Sequence, residues 1–160
     1  MSNLPSWNLA DFYPSFKSKL IIDDLNLLKK DTHSFQKKFK NKLKNLSKNQ
    51  LLNSLKQYEK LEEKIYFIKS FSFLTHCTDQ LNKEKNKFYQ STSETLSNIE
   101  KNLVFFCLEL NNLGKEKIRQ FDKTRYESWI KNLSKFKKYQ QSENIEKLLM
   151  EKSLTSSSAW

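Results

Sequence analysis

Apolar residues recur at threes and fours along most of this chain. Ile21, Leu25, Leu28, Thr32, Phe35, Phe39 and Leu43 draw one stripe, which predicts a helix over about residues 18–46, roughly 40 Å long at 1.5 Å per residue. Ser47-Lys48-Asn49-Gln50 then reads as a capping box, the serine taking an orphan amide while the glutamine reaches back. A second stripe follows: Leu51, Leu55, Tyr58, Leu61, Ile65, Ile68, Ser72 and Thr75. Thr78 and Asp79 interrupt it, and either is suited to cap the next helix. The third stripe is Phe88, Thr92, Thr95, Ile99, Leu103, Phe106, Leu110 and Leu113. Gly114 follows where a helix commonly ends in a left-handed residue, so it reads as a stop signal.

Past Gly114 the pattern shortens. One or two turns fit residues 115–121, and Asp122 or Thr124 can cap a helix bearing Tyr126, Trp129, Ile130, Leu133 and Phe136. Ser142 opens another through Ile145, Leu148, Leu149 and Met150, and periodicity breaks from Leu154 onward. No stretch alternates at period two for long enough to be a strand. The expected fold is therefore all-α, an antiparallel bundle of three long helices followed by shorter C-terminal helices. The expected division is an N-terminal arm over 1–17, the bundle over 18–113, shorter helices of the same domain over 114–150, and a connecting segment over 151–160. The spacing also suits an intermolecular coiled coil, but the short turns bring the stripes together within one chain.

Composition narrows the classes. At 160 residues and 19.2 kDa, one domain with a real core is expected. One glycine and two prolines exclude phosphate-cradling glycine loops and glycine-punctuated β-sandwiches. Twelve phenylalanines and six tyrosines are too aromatic for a disordered chain. In the 1–14 arm, Trp7, Phe12 and Tyr13 are expected to fasten the arm to the body. The longest apolar run, Leu103-Val104-Phe105-Phe106-Cys107-Leu108, falls far short of the ~20 residues a spanning helix needs. No basic and apolar leader opens the chain. A cytoplasmic setting is expected, with no membrane partner.

The net charge of +11 raises nucleic acid as a partner. Only Arg119 and Arg125 are arginines among 29 basic residues, however, and arginine is the side chain of bidentate phosphate and base recognition. A solvated lysine surface is the better reading, and nucleic acid is not an expected partner.

Candidate chemistry is sparse. His33, His76, Cys77 and Cys107 are the residues to weigh for a metal site. Pairing the second and third helices leaves Cys107 some 37 Å from Cys77 at 1.5 Å per residue, too far to share a zinc ion held by bonds of about 2.0–2.3 Å. Buried or boundary histidines and two inert core thiols are expected instead. Glu59, Glu62, Glu63 and Glu84 lie among lysines at helical spacing, which decorates a solvated face. Asp23 and Asp24 suit the positive end of the first helix. No serine or cysteine is set in a nucleophile arrangement with a base and an acid.

Four landmarks in order carry a resemblance. They are Leu4-Pro5-Ser6-Trp7-Asn8-Leu9-Ala10-Asp11-Phe12-Tyr13-Pro14, then Leu61-Glu62-Glu63 with the aromatic stretch 66–74, then Phe105-Phe106-Cys107-Leu108-Glu109-Leu110, and finally Glu151-Lys152-Ser153-Leu154-Thr155 with Ser158-Ala159-Trp160. Together they resemble the N-terminal helical domain of the oligoendopeptidase F family of zinc metallopeptidases. The resemblance implies a helical part packed on a larger zinc-bearing domain, the two walling a channel that admits short peptides. It also implies a His-Glu-x-x-His helix elsewhere, in which two histidines hold zinc and the glutamate is general base, with a further glutamate ligand downstream. His33 is followed by Ser34 and His76 by Cys77, so no catalytic or metal residue carries over. Zinc is expected only in a catalytic domain beyond this chain, and the chain by itself is expected to be inactive.

The implied partner is that catalytic domain, joined in cis or supplied by a neighbouring reading frame, as for a split or decayed gene. Oligopeptides would bind only the whole enzyme. A domain that rests on a partner should expose an apolar patch when alone, and Trp129, Phe136 and Trp160 are the residues expected in it. The competing reading is a free-standing basic helical module for nucleic acid or a protein partner.

Overall fold

Ser18 starts the first helix. Its backbone is extended and its side chain accepts the N–H of Leu20 at 3.3 Å, one of the amides a helix N-terminus leaves without an internal partner. The computed structural model describes residues 7–155, and helix α1 runs Lys19–Phe39. It stops short of the expected end near residue 46 because Asn41 takes a φ of 63°, a left-handed conformation that asparagine tolerates better than most residues. A 3-10 turn at Leu43–Asn45 follows, and Leu43 still reaches the core, fully buried.

The capping box forms as expected. Ser47 Oγ accepts the Gln50 N–H at 3.4 Å, and Gln50 Oε1 accepts the Ser47 N–H at 2.9 Å. Helix α2 then runs Lys48–Thr78 and buries its whole expected stripe apart from Tyr58, which is half-buried. The cap of α3 (Lys83–Glu100) is Asn82, whose Oδ1 accepts the N–H groups of Glu84 and Lys85 at 3.0 and 3.1 Å. The expected caps are both used in ending α2: Thr78 Oγ1 donates to the Thr75 carbonyl, and Asp79 N–H donates to His76.

The third stripe is not one helix. At residues 101–103 the chain tightens into i→i+3 bonds, Asn102 N–H to Ile99 and Leu103 N–H to Glu100, before α4 begins at Val104–Asn111. Asn102 Nδ2 donates across to Thr32 Oγ1 on α1 at 3.3 Å. Within α3 the stripe runs through Leu96 rather than the expected Thr95, which is exposed, and the spacing of three and four continues past the break. The adjacent Phe105 and Phe106 both reach the interior, because α4 is packed on more than one side. It touches the later helices α6 (Glu127–Lys135) and α7 (Glu143–Thr155) and the Leu43–Asn45 turn.

Gly114 is not left-handed. Its φ of −64° and ψ of 159° are extended, and it precedes α5 (Lys115–Arg119) as an N-cap without a side chain. Helix α4 ends instead in tightened turns, with Asn112 N–H bonded to Leu108 and Glu109 and Leu113 N–H to Leu110. Three elements complete the described chain: α6 at Glu127–Lys135, a 3-10 turn at Lys137–Tyr139, and α7 at Glu143–Thr155. Neither Asp122 nor Thr124 is the N-cap of α6, which is Tyr126; Thr124 Oγ1 accepts the Tyr126 N–H at 3.3 Å instead.

Helices α1, α2 and α3 pack on one another and run antiparallel through short turns. The fold is all-α. Phe106 centres the core, its ring 4.7 Å from Tyr58 and 5.1 Å from Phe35. Each such side chain contributes about 1.5–3 kcal/mol by leaving water. The arm lies over one end of the bundle. Phe12 sits 4.9 Å from Phe67, Tyr13 sits 5.0 Å from Phe71, and the Tyr13 hydroxyl donates to Asp24 at 2.7 Å. Asp24 thus anchors the arm, and no acid lies in the first turn of α1. Trp7, expected to help fasten the arm, is 66% exposed.

Candidate functional site

The residues weighed for metal chemistry are dispersed. His33 is exposed on α1 rather than buried or at a boundary as expected, because it lies off the buried stripe of Thr32 and Phe35. His76 closes α2, stacked 5.0 Å from Tyr89, with Nδ1 2.8 Å from Asn86 Oδ1. Asn86 spends its Nδ2 on the Gln80 carbonyl, so its Oδ1 accepts and His76 donates. Cys77 is exposed, and Cys107 is partly exposed with Sγ 3.5 Å from the Tyr58 hydroxyl. The expectation of two core thiols is corrected, since Cys77 lies off the buried stripe that ends at Thr75. Among the described residues no three His, Cys, Asp or Glu side chains gather to hold a metal ion.

A groove of about 980 Å³ runs between α2 and α6, lined in part by Tyr58, Glu62, Tyr66, Cys107, Tyr126 and Trp129. Glu59 at its edge accepts from Arg125 and from the Tyr126 hydroxyl, the latter at 2.9 Å, and these bonds hold its carboxyl below the usual range. Glu62 goes the other way. Burial pushes its carboxyl up, so it is not the solvated decoration expected of it. Burial also raises the Tyr58 phenol and the Cys107 thiol, which keeps both protonated and un-nucleophilic near neutral pH.

The more informative surface is C-terminal. Helix α7 turns three apolar side chains outward: Ile145, Leu148 and Leu149 are about half exposed, while Glu143, Glu146, Lys147 and the apolar Met150 are turned inward and half-buried. Polar contacts seat it. Glu143 pairs with Lys40 at 2.7 Å and Lys147 at 2.6 Å, and Glu151 pairs with Lys101. Phe136 and Tyr139 beside it are 65% and 64% exposed, and Trp129 on α6 is 37% exposed. Of the patch expected from sequence, Trp129 and Phe136 are therefore at the surface, and Trp160 lies outside the described residues. The sequence places the three α7 residues on one helix with Met150, and only the structure reveals their direction.

Residues 109–160 match the family model described as oligopeptidase F, an N-terminal domain. That stretch, about a third of the chain, is similar to the oligopeptidase F family. No curated protein and no solved structure matched in the other two comparisons. The matched segment begins at Glu109, whose carboxylate takes the Asn41 N–H at 2.6 Å and the Leu43 N–H at 3.5 Å. It is therefore bonded to the turn between α1 and α2. It contains all of α5, α6 and α7, and so the whole outward apolar surface just described. The landmarks at 4–14 and 61–74 lie before it. Among the described residues no helix is long and apolar enough to cross a membrane.

Proposed function

We propose that this chain is the non-catalytic helical module of an oligopeptidase F-type zinc peptidase. In this reading it docks on the zinc-bearing domain and forms a wall of the peptide channel, and the pair works in the cytoplasm on short peptides. The observation that carries the reading is the outward apolar stripe of α7, Ile145, Leu148 and Leu149, lying inside the matched segment. An amphipathic helix gains by covering its apolar face, and α7 keeps that face uncovered in the chain alone. Among the described residues no zinc site assembles, and no step of peptide hydrolysis is assigned to them.

The test mixes the full chain with a zinc-bearing oligopeptidase F chain that lacks its own N-terminal module. A 1:1 complex on gel filtration, with cleavage of quenched fluorescent peptides raised over either chain alone, is expected. The variant I145E/L149E is expected to keep its helical circular dichroism and lose the complex. Stoichiometric zinc together with peptide hydrolysis in the isolated chain would overturn the non-catalytic assignment. Equal association by the double variant would overturn the docking face.

A further inference from the structure

Positive charge is unevenly placed on this molecule. Between residues 37 and 48 the sequence holds six lysines and no acid. They span the end of α1, the 3-10 turn and the start of α2. Helix α5 comes to the same end of the bundle, where Lys117 Nζ donates to the Leu46 carbonyl, and it adds Lys115 and Arg119. Lys37, Lys42, Lys44, Lys48, Lys115 and Arg119 are all exposed. None of the six is ion-paired among the described residues. Elsewhere some cations meet carboxylates, as in Lys17–Glu84 at 2.7 Å and Lys69–Glu100 at 3.6 Å. Others, such as Lys83 and Lys87, are in no ion pair among the described residues but stand near Glu84 on the same helix. Of the acids near this end, Glu109 is turned into the 41–43 turn, Glu143 is held by Lys40 and Lys147, and Glu116 stands alone on α5.

We propose that this end of the bundle is an electrostatic docking surface for a protein that presents clustered aspartates and glutamates. The observations favour that partner over other polyanions. Nucleic-acid surfaces recruit arginine forks and stacking aromatics. Here five of the six cations are lysines, and no large exposed apolar or aromatic side chain falls in residues 37–48 or 115–123. That same absence leaves nothing to insert into a bilayer. What remains is an array of flexible point charges, which suits diffuse charge complementarity with a carboxylate-rich face. The inference rests on different residues from the α7 stripe and does not depend on what covers that stripe.

The test compares the full chain with two triple variants of identical net charge. K37E/K44E/K48E reverses this end; K19E/K83E/K87E reverses exposed lysines at the opposite end. Binding to labelled poly-L-glutamate, single-stranded RNA, and phosphatidylserine vesicles is measured by anisotropy or sedimentation at low salt and again at physiological salt. Poly-glutamate is expected to bind the parent chain, more weakly as salt rises, with about a tenfold loss in K37E/K44E/K48E and less than about a twofold loss in the distal variant. The neutral variant K37Q/K44Q/K48Q should fall between, which guards against a folding defect in the reversed one. Equal losses in both reversed variants would reduce the effect to net charge and overturn the proposal. Tighter binding to RNA or vesicles than to poly-glutamate would overturn it too, as would no binding to poly-glutamate at low salt.

Discussion

Glu109 reaches from α4 to the turn between α1 and α2, and removing it should loosen that turn. Its carboxylate receives the Asn41 N–H at 2.6 Å and the Leu43 N–H at 3.5 Å. The first is a short charge-assisted bond, and such bonds contribute about 1.5–3 kcal/mol. The second sits at the outer limit of a hydrogen bond and adds little. Glu109 is half-buried and Asn41 is exposed, so water can partly replace the lost acceptor. Glu109→Ala should therefore cost about 2 kcal/mol, in the lower half of that range. In urea, with a slope of about 2 kcal/mol/M for a domain of this size, the midpoint should fall by about 1 M. Far-UV circular dichroism at 25 °C reads it directly. Glu109→Gln keeps an acceptor without the charge and should lose about half as much. Glu116→Ala, on the exposed face of α5, is the control and should stay within about 0.5 kcal/mol. If Glu109→Ala moves the midpoint no further than Glu116→Ala, the carboxylate does not hold the turn and the reasoning fails.

Three further outcomes are expected. Burial raises the Glu62 carboxyl, so the unfolded chain gives up that proton first and stability falls as pH climbs from about 4.3 through the folded value; Glu62→Gln should stabilise at pH 7 and lose that advantage below pH about 4, and an unchanged gap at both pH values would count against the buried carboxyl. Gly114→Ser fits its extended backbone, where an added Cβ meets nothing within 4 Å; a new N-cap and a stiffer unfolded chain should together add about 0.5–1 kcal/mol, whereas a loss of that size would mean the position needs glycine. Ser47→Ala breaks the capping box of α2 and should cost about 1 kcal/mol by thermal or urea unfolding, and Gln50→Ala added to it should cost less than it does alone, because the two bonds are made reciprocally.

What could be read from the chain was local. The Ser47–Gln50 box and the stripe from Leu51 to Thr75 depend on spacings of three and four, and both stand in the structure. Position 41 was illegible, because an asparagine in a lysine-rich helix tail gives no sign that Glu109 will receive its amide from another helix. Gly114 misled for a related reason: glycine permits a left-handed residue but does not demand one. The break at 101–103 was hidden because apolar spacing continues through it, and only the double burial of Phe105 and Phe106 calls for it. At the candidate surface, Trp129 and Phe136 were foreseen as exposed. The direction of Ile145, Leu148 and Leu149 was not, because an apolar face on a helix carries no mark of whether its neighbour is in the same chain. Glu62 looked like its neighbouring glutamates until Tyr58 and the groove around it were placed.

The strap formed by Phe12, Tyr13 and Phe16 bears on how shortened versions of this molecule should be cut. Phe12 and Tyr13 roof Phe67 and Phe71, and Phe16 lies 5.8 Å from Phe88 on α3. A version starting at Ser18 would keep every long helix yet strip the roof from three rings at once and strand Asp24 without its tyrosine. Tags and fusions belong upstream of Trp7, whose indole is already in solvent, and trimming for crystallisation should stop there rather than at the first turn of α1.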